Sequence, residues 1–269
     1  MKTKVAWFRA AMAAIVLLRI VLWPFAQLAG TPRALLAPPW FLRWLPGMPP
    51  AAVIVAVQVV GVAGAVVAIS RRKGAANGFV IAWLAFLFLA GLKTSTGKIL
   101  HNDVTLLLAA VPLVLHRKDD DDATWPIEVA VVALAAIYFL CGYQKLVHSG
   151  LAWVTSDNMR WILYDAAASG RAPTAAVATA IADTPWAAHV TAAMLLGLEL
   201  TFPVVVFVRK ARLPYAIAAA TLHTGTWLTL GLDYWSWSLV ALVVLAMSSA
   251  ILAKSTEMKM PSASARSSP

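Results

Sequence analysis

Apolar residues gather along this chain in eight long stretches, with no period-two alternation to suggest strands. The stretches cover residues 5–29, 51–69, 77–95, 102–116, 126–148, 186–208, 213–232 and 234–253. A helix needs roughly 20 apolar residues to cross a bilayer. The pattern therefore predicts an all-α fold, a polytopic transmembrane helix bundle of about eight spans. The fourth stretch is short, and the seventh and eighth almost touch. Polar, Pro-rich and Gly-containing segments separate the rest.

Composition supports that reading. Of 269 residues, 61% are hydrophobic and 13% charged, and mean hydropathy is +0.77. A soluble domain is about half apolar and about a quarter charged, so a soluble enzyme, a disordered chain and a fibrous protein are excluded. Residues 1–254 are expected to form a single integral membrane domain. Residues 255–269, rich in Ser, Ala and Pro, are expected to be a disordered tail. The basic, apolar N-terminus resembles a signal peptide, but its length and Arg19 favour a retained first helix. One cysteine, Cys141, excludes an intrachain disulfide.

The net charge of +10 points to orientation rather than to nucleic acid, which is not an expected partner. With the N-terminus in the cytoplasm, the inner segments hold Lys2, Lys4, Arg71, Arg72, Lys73, Arg117, Lys118, Arg209, Lys210, Arg212, Lys254, Lys259 and Arg266. The outer segments hold only Arg33, Arg43, Lys93, Lys98, Arg160 and Arg171. Every second loop carries a basic cluster, which places both termini in the cytoplasm of a multi-pass cell-membrane protein. Pro38, Pro39, Trp40, Trp44 and Pro46 mark residues 30–50 as an interfacial or re-entrant loop. Trp153 and Trp161 suggest an interfacial helix within residues 149–185. The run at 117–122, RKDDDD, reads as a solvated inner turn rather than a calcium site, because it lacks the Gly of a calcium loop.

Ionisable groups inside a bilayer cost on the order of 2.5–3.5 kcal/mol each by insertion scales. Arg19, Glu199 and His223 sit within stretches one, six and seven, and Lys145 lies near the outer end of stretch five. His101, Asn102 and Asp103 open stretch four, after Lys93 and Lys98. The topology puts these groups at comparable depths, where a cavity open to the outside could gather them. Plainer readings stand beside this one. Arg19 and Glu199 could be a buried ion pair, His223 a packed histidine, Lys145 a snorkelling interface residue, and Asp103 a helix cap. Soluble-enzyme motifs are missing: no phosphate loop, HExxH, CxxC or GxSxG occurs. His101 and His223 lack metal-ligand spacing, and no metal is expected.

Several of these segments resemble the membrane domain shared by vitamin K-dependent γ-carboxylases and the horizontally transferred transmembrane (HTTM) family. LLRIVLW is similar to a Phe-Arg-x-x-x-Gly first helix, with Arg19 at the Arg and Trp23 in place of Gly. LKTSTGKILHNDVTLLL is similar to a Lys-Thr-Ser segment followed by Asn-His, with Lys93 and His101 matching. YFLCGYQKLVHSGLAWV resembles Tyr-Phe-x-x-Gly-x-x-Lys-Leu followed by Trp-Val, which puts Lys145 at the Lys. The stretch with His223 is similar to a later histidine-bearing helix. The likeness runs over about residues 8–250 and rests on short motifs in apolar background.

The resemblance implies Lys145 as a base toward a reduced quinone, with His101 and His223 as catalytic support. Arg19, Lys93, Asp103 and Glu199 would complete the substrate-binding set. The cofactor is not identified by the sequence; a reduced quinone enters only by resemblance. The expected partners are the lipid bilayer and a lipid-soluble small molecule, with a protein partner left open. An amine in an apolar pocket tends to lose its charge, and a neutral amine can accept a hydroquinone proton. The carboxylases carry a large domain after the helices where this chain has its short tail, so carboxylation of a bound protein is not expected of this chain alone. A non-catalytic lipid-binding or partner-assisting module is the alternative. A transporter is a third reading, against which the lack of an internal repeat or paired broken helices argues.

Overall fold

The computed structural model describes residues 3–97, 101–118 and 123–257. Among them the chain is helical, without strands. The long helices are α1 (Lys4–Leu22), α2 (Ala51–Ser70), α3 (Ala75–Thr94), α4 (His101–Leu115) and α5 (Trp125–Ser149). After the short α6 (Ala152–Thr155) come α7 (Asn158–Ala168), α8 (Ala175–Asp183) and α9 (Pro185–Thr201). The one-turn α10 (Val204–Phe207) precedes α11 (Arg212–Leu230) and α12 (Trp235–Glu257). Four of these, α1, α2, α3 and α5, are long and apolar enough to cross a membrane. The acidic run at 119–122 and the tail beyond Glu257 lie outside the described residues.

Local chemistry sets the helix ends. The Thr3 hydroxyl accepts the Ala6 N–H at 3.2 Å and caps α1. The first stretch was expected to run to residue 29, but α1 stops at Leu22. Trp23 precedes Pro24 and is forced into extended geometry (φ −98°, ψ 130°). Residues 25–30 continue as a 3-10 turn. The sixth stretch, 186–208, is likewise not one helix. Pro203 has no N–H to donate, so α9 ends at Thr201 and α10 restarts beyond the turn. Residues 149–185, read as a loop with one helix, hold α6, α7 and α8. In this cap the Tyr164 hydroxyl donates to Asp183 at 2.6 Å, and that bond pushes the phenol pKa up.

Packing explains why so many apolar residues lie outside. Phe8, Met12, Phe79, Phe86, Leu134 and Val240 belong to one continuous core shared by α1, α3, α5 and α12. By contrast α2 turns Val53, Val55, Val59, Val60, Val66 and Val67 outward. Such a face is an aggregation hazard in water and ordinary in lipid. Close backbone approach holds α2 on α3: a Cβ on Gly64 would lie 2.7 Å from the Gly78 carbonyl oxygen. Small residues serve this purpose in lipid, where apolar burial gives helices little reason to associate. A second core, including Met159, Leu163, Ala178 and Ala192, joins α7 and α8 to α9.

Candidate functional site

The end of the bundle that holds the C-termini of α1, α3, α5 and α11 and the N-termini of α4 and α12 carries two buried polar clusters. The first centres on Asp103 in the first turn of α4. Arg19, in the last turn of α1, donates to Asp103 Oδ1 from Nε at 3.0 Å and Nη2 at 2.6 Å. Its Nη1 donates to Asp233 Oδ2 at 2.7 Å. Lys93 Nζ reaches Asp103 Oδ2 at 3.3 Å and lies 4.5 Å from the Trp23 ring centroid. Asn102 donates to the Asp233 carbonyl. Two cations thus meet two carboxylates, and the linker between α11 and α12 is clamped to α1 and α4.

The second cluster belongs to a cavity of about 560 Å³ among α4, α5, α7, α9, α11 and the start of α12. Lys145 Nζ lies 2.6 Å from each carboxylate oxygen of Glu199. Their side chains are 21% and 8% exposed, so water does little to screen the pair. The Tyr138 hydroxyl lies 2.7 Å from His223 Nε2, while His223 Nδ1 is buried with no hydrogen-bond partner among the described residues. Trp237 stacks on His223 with centroids 4.8 Å apart, and Phe202 lies flat on Tyr138 at 3.8 Å. Lys145, Glu199 and His223 therefore share one largely apolar cavity with Trp153 and Tyr234. Leu108 and Leu140 line it and are about half exposed, so it opens sideways on the apolar surface between α4 and α5.

The structure divides the residues that the sequence grouped together. Lys145, Glu199 and His223 meet at the cavity, whereas Arg19, Lys93 and Asp103 form the clamp. His101 begins α4 beside that clamp, and its side chain lies outside the described residues. The pairing of Arg19 with Glu199 is overturned. Arg19 leaves α1 toward α4, while Glu199 sits on α9 against α5, so each meets a nearer opposite charge. Asp103 is more than a helix cap, because both its oxygens are taken by cations. Among the described residues no three His, Cys, Asp or Glu side chains gather as a metal site.

The sequence assigned no site role to the cavity residues Cys141, Tyr234 and Trp237, nor to Tyr138, whose hydroxyl meets the cavity's His223. Tyr138 and Cys141 precede Lys145 by two turns and one turn of α5, so helical spacing alone puts them on its face. No local signal marks Tyr234, Trp237 or the clamp residue Asp233, whose partners come from distant segments.

Gly142 lets α9 approach α5 at the cavity. A Cβ there would lie 2.9 Å from Glu199 Cβ and 3.1 Å from Leu200 Cδ2. Gly142→Ala is expected to push the helices apart and lower stability by about 1–3 kcal/mol, the usual cost of overpacking. Thermal unfolding in detergent checks this; a melting point equal to wild type would show that α9 yields without cost.

Comparison of the chain with protein-family models, curated proteins and solved structures finds no match.

Proposed function

We propose that this is a cell-membrane protein of eight spans, both termini cytoplasmic, that takes a flat, hydroxyl-bearing lipid of the hydroquinone class from the outer half of the bilayer. The alternation of basic loops supports the orientation. The other four spans are α4, α9, α11 and α12: α4 and α9 pack on α5, α12 on α1 and α5, and α11 on α12. At 15 residues α4 is about 22 Å long, so it reaches across only with local thinning of the bilayer.

The observation that carries the ligand class is the cavity: apolar walls, an opening toward lipid, and the Lys145–Glu199 pair and His223 at its wall. An apolar ring and tail suit the walls, and a hydroxyl suits the polar groups. Lys145 and Glu199 act here as one unit. Its base form is the amine beside the protonated carboxyl, reached when the shared proton sits on Glu199. The amine takes the hydroquinone proton, and the resulting ammonium faces the phenolate. His223 donates to or accepts from the ring's second oxygen through Nδ1. Dioxygen is the oxidant, taking two electrons and two protons from the hydroquinone to give quinone and hydrogen peroxide.

The test uses purified protein in nanodiscs with a reduced naphthoquinone under controlled oxygen. Quinone formation is followed by mass spectrometry, and binding by equilibrium dialysis. Wild type is expected to bind and turn over, while Lys145→Ala binds and loses turnover by a factor of roughly 10² or more, the usual share of a general base. Binding with equal background oxidation in both proteins would replace the enzyme reading with a lipid-binding module. No binding would remove the ligand class altogether.

A further inference from the structure

A second concave site lies at the same end of the bundle and takes no part in the cavity. It is a pocket of about 220 Å³ lined by Arg33 and Arg43 from the α1–α2 loop, with Pro38, Pro46, Gly47 and Ser95. Both arginines are exposed. Neither guanidinium has a hydrogen-bond or ion-pair partner among the described residues, unlike Arg19, Arg160, Arg171 and Arg212, which are all engaged. The loop that carries them is not loose. The Ala37 N–H donates to the Ser95 carbonyl at 2.7 Å and ties it to the end of α3. Four prolines in residues 32–46 restrict its backbone further.

The surroundings say where this pocket sits. Trp40 is 79% exposed and Trp44 71%, with Leu35 at 66% beside them. The Trp44 indole N–H is already bonded to the Phe41 carbonyl at 2.8 Å, so its ring is left for an apolar medium. Exposed tryptophans at the ends of apolar helices mark headgroup level. There the commonest anion is a phosphodiester, and a guanidinium fork matches its paired oxygens.

We propose that Arg33 and Arg43 hold the phosphate of an anionic phospholipid in this pocket, with Trp40 and Trp44 seated among the adjoining acyl chains. The site is separate from the cavity and rests only on the membrane reading, not on hydroquinone chemistry. The bound lipid would fix the α1–α2 loop at the membrane surface.

The test reconstitutes the full chain in phosphatidylcholine nanodiscs containing a minor share of phosphatidylglycerol. Lipids retained after transfer to detergent are counted by native mass spectrometry. Wild type is expected to retain phosphatidylglycerol in preference to phosphatidylcholine. R33A/R43A is expected to lose that retention by roughly tenfold, the effect of one charge-assisted hydrogen bond. R33K/R43K, which keeps the charge without the fork, should fall between them and guards against loss through misfolding. Arg72→Ala, at the opposite end of the bundle, should match wild type. Equal retention by wild type and R33A/R43A would overturn the proposal. So would full displacement of the lipid by millimolar inorganic phosphate, which would make this a site for a soluble anion.

Discussion

Asp103→Ala is expected to be the most destabilising single change in the protein. It removes the carboxylate that holds both Arg19 and Lys93 and leaves two cations facing each other at a buried helix end. Arg19 is 2% exposed and Lys93 6%, so neither can be rehydrated without opening the bundle. Breaking a buried pair by removing one partner costs about 3–5 kcal/mol, and here one residue serves two partners. Asp233 remains for Arg19 but is itself half exposed. The measurement is thermal or denaturant unfolding in detergent. Arg19→Met is expected to cost less, because Lys93 keeps Asp103 paired. The reverse order would show that the clamp is held by something other than Asp103. The effect should reach the cavity too: Leu232 and Tyr234, beside the clamped Asp233, line its wall.

Glu199→Ala is the second large effect. Lys145 then loses both oxygens of its partner inside an apolar cavity. Because the Lys145 side chain keeps 21% exposure, the cost falls at the lower end of the buried-pair range, about 3 kcal/mol. Replacing both residues, as K145M/E199M, is expected to recover most of that stability, since an apolar pair of similar volume needs no solvation. A double variant no more stable than Glu199→Ala would show that the helices need the ion pair itself to dock. Either way the double variant should lose hydroquinone turnover, which separates what the pair does for the fold from what it does for the site.

Much of this was legible in the linear pattern. The apolar stretches located every long helix, because a segment surrounded by lipid needs apolar residues on all sides and carries a strong signal. The polar residues within them were also legible, because a bilayer makes each one costly and so conspicuous. Helix ends at Trp23–Pro24 and Phe202–Pro203 had visible causes, but the length of apolar sequence on either side masked them.

Residue identity and order determined an all-helical chain with apolar helices, basic alternate loops, and a short set of ionisable groups that had to find partners. Only tertiary structure decided who those partners are. Helices uniformly apolar around their circumference carry no stripe that says which face meets which neighbour. The pairing of Arg19 with Asp103 and of Glu199 with Lys145 therefore had no signature in spacing. It follows from α1 packing beside α4 and α9 beside α5. The division of one expected site into a clamp and a cavity has the same origin: charges at one depth are sorted by which helices touch.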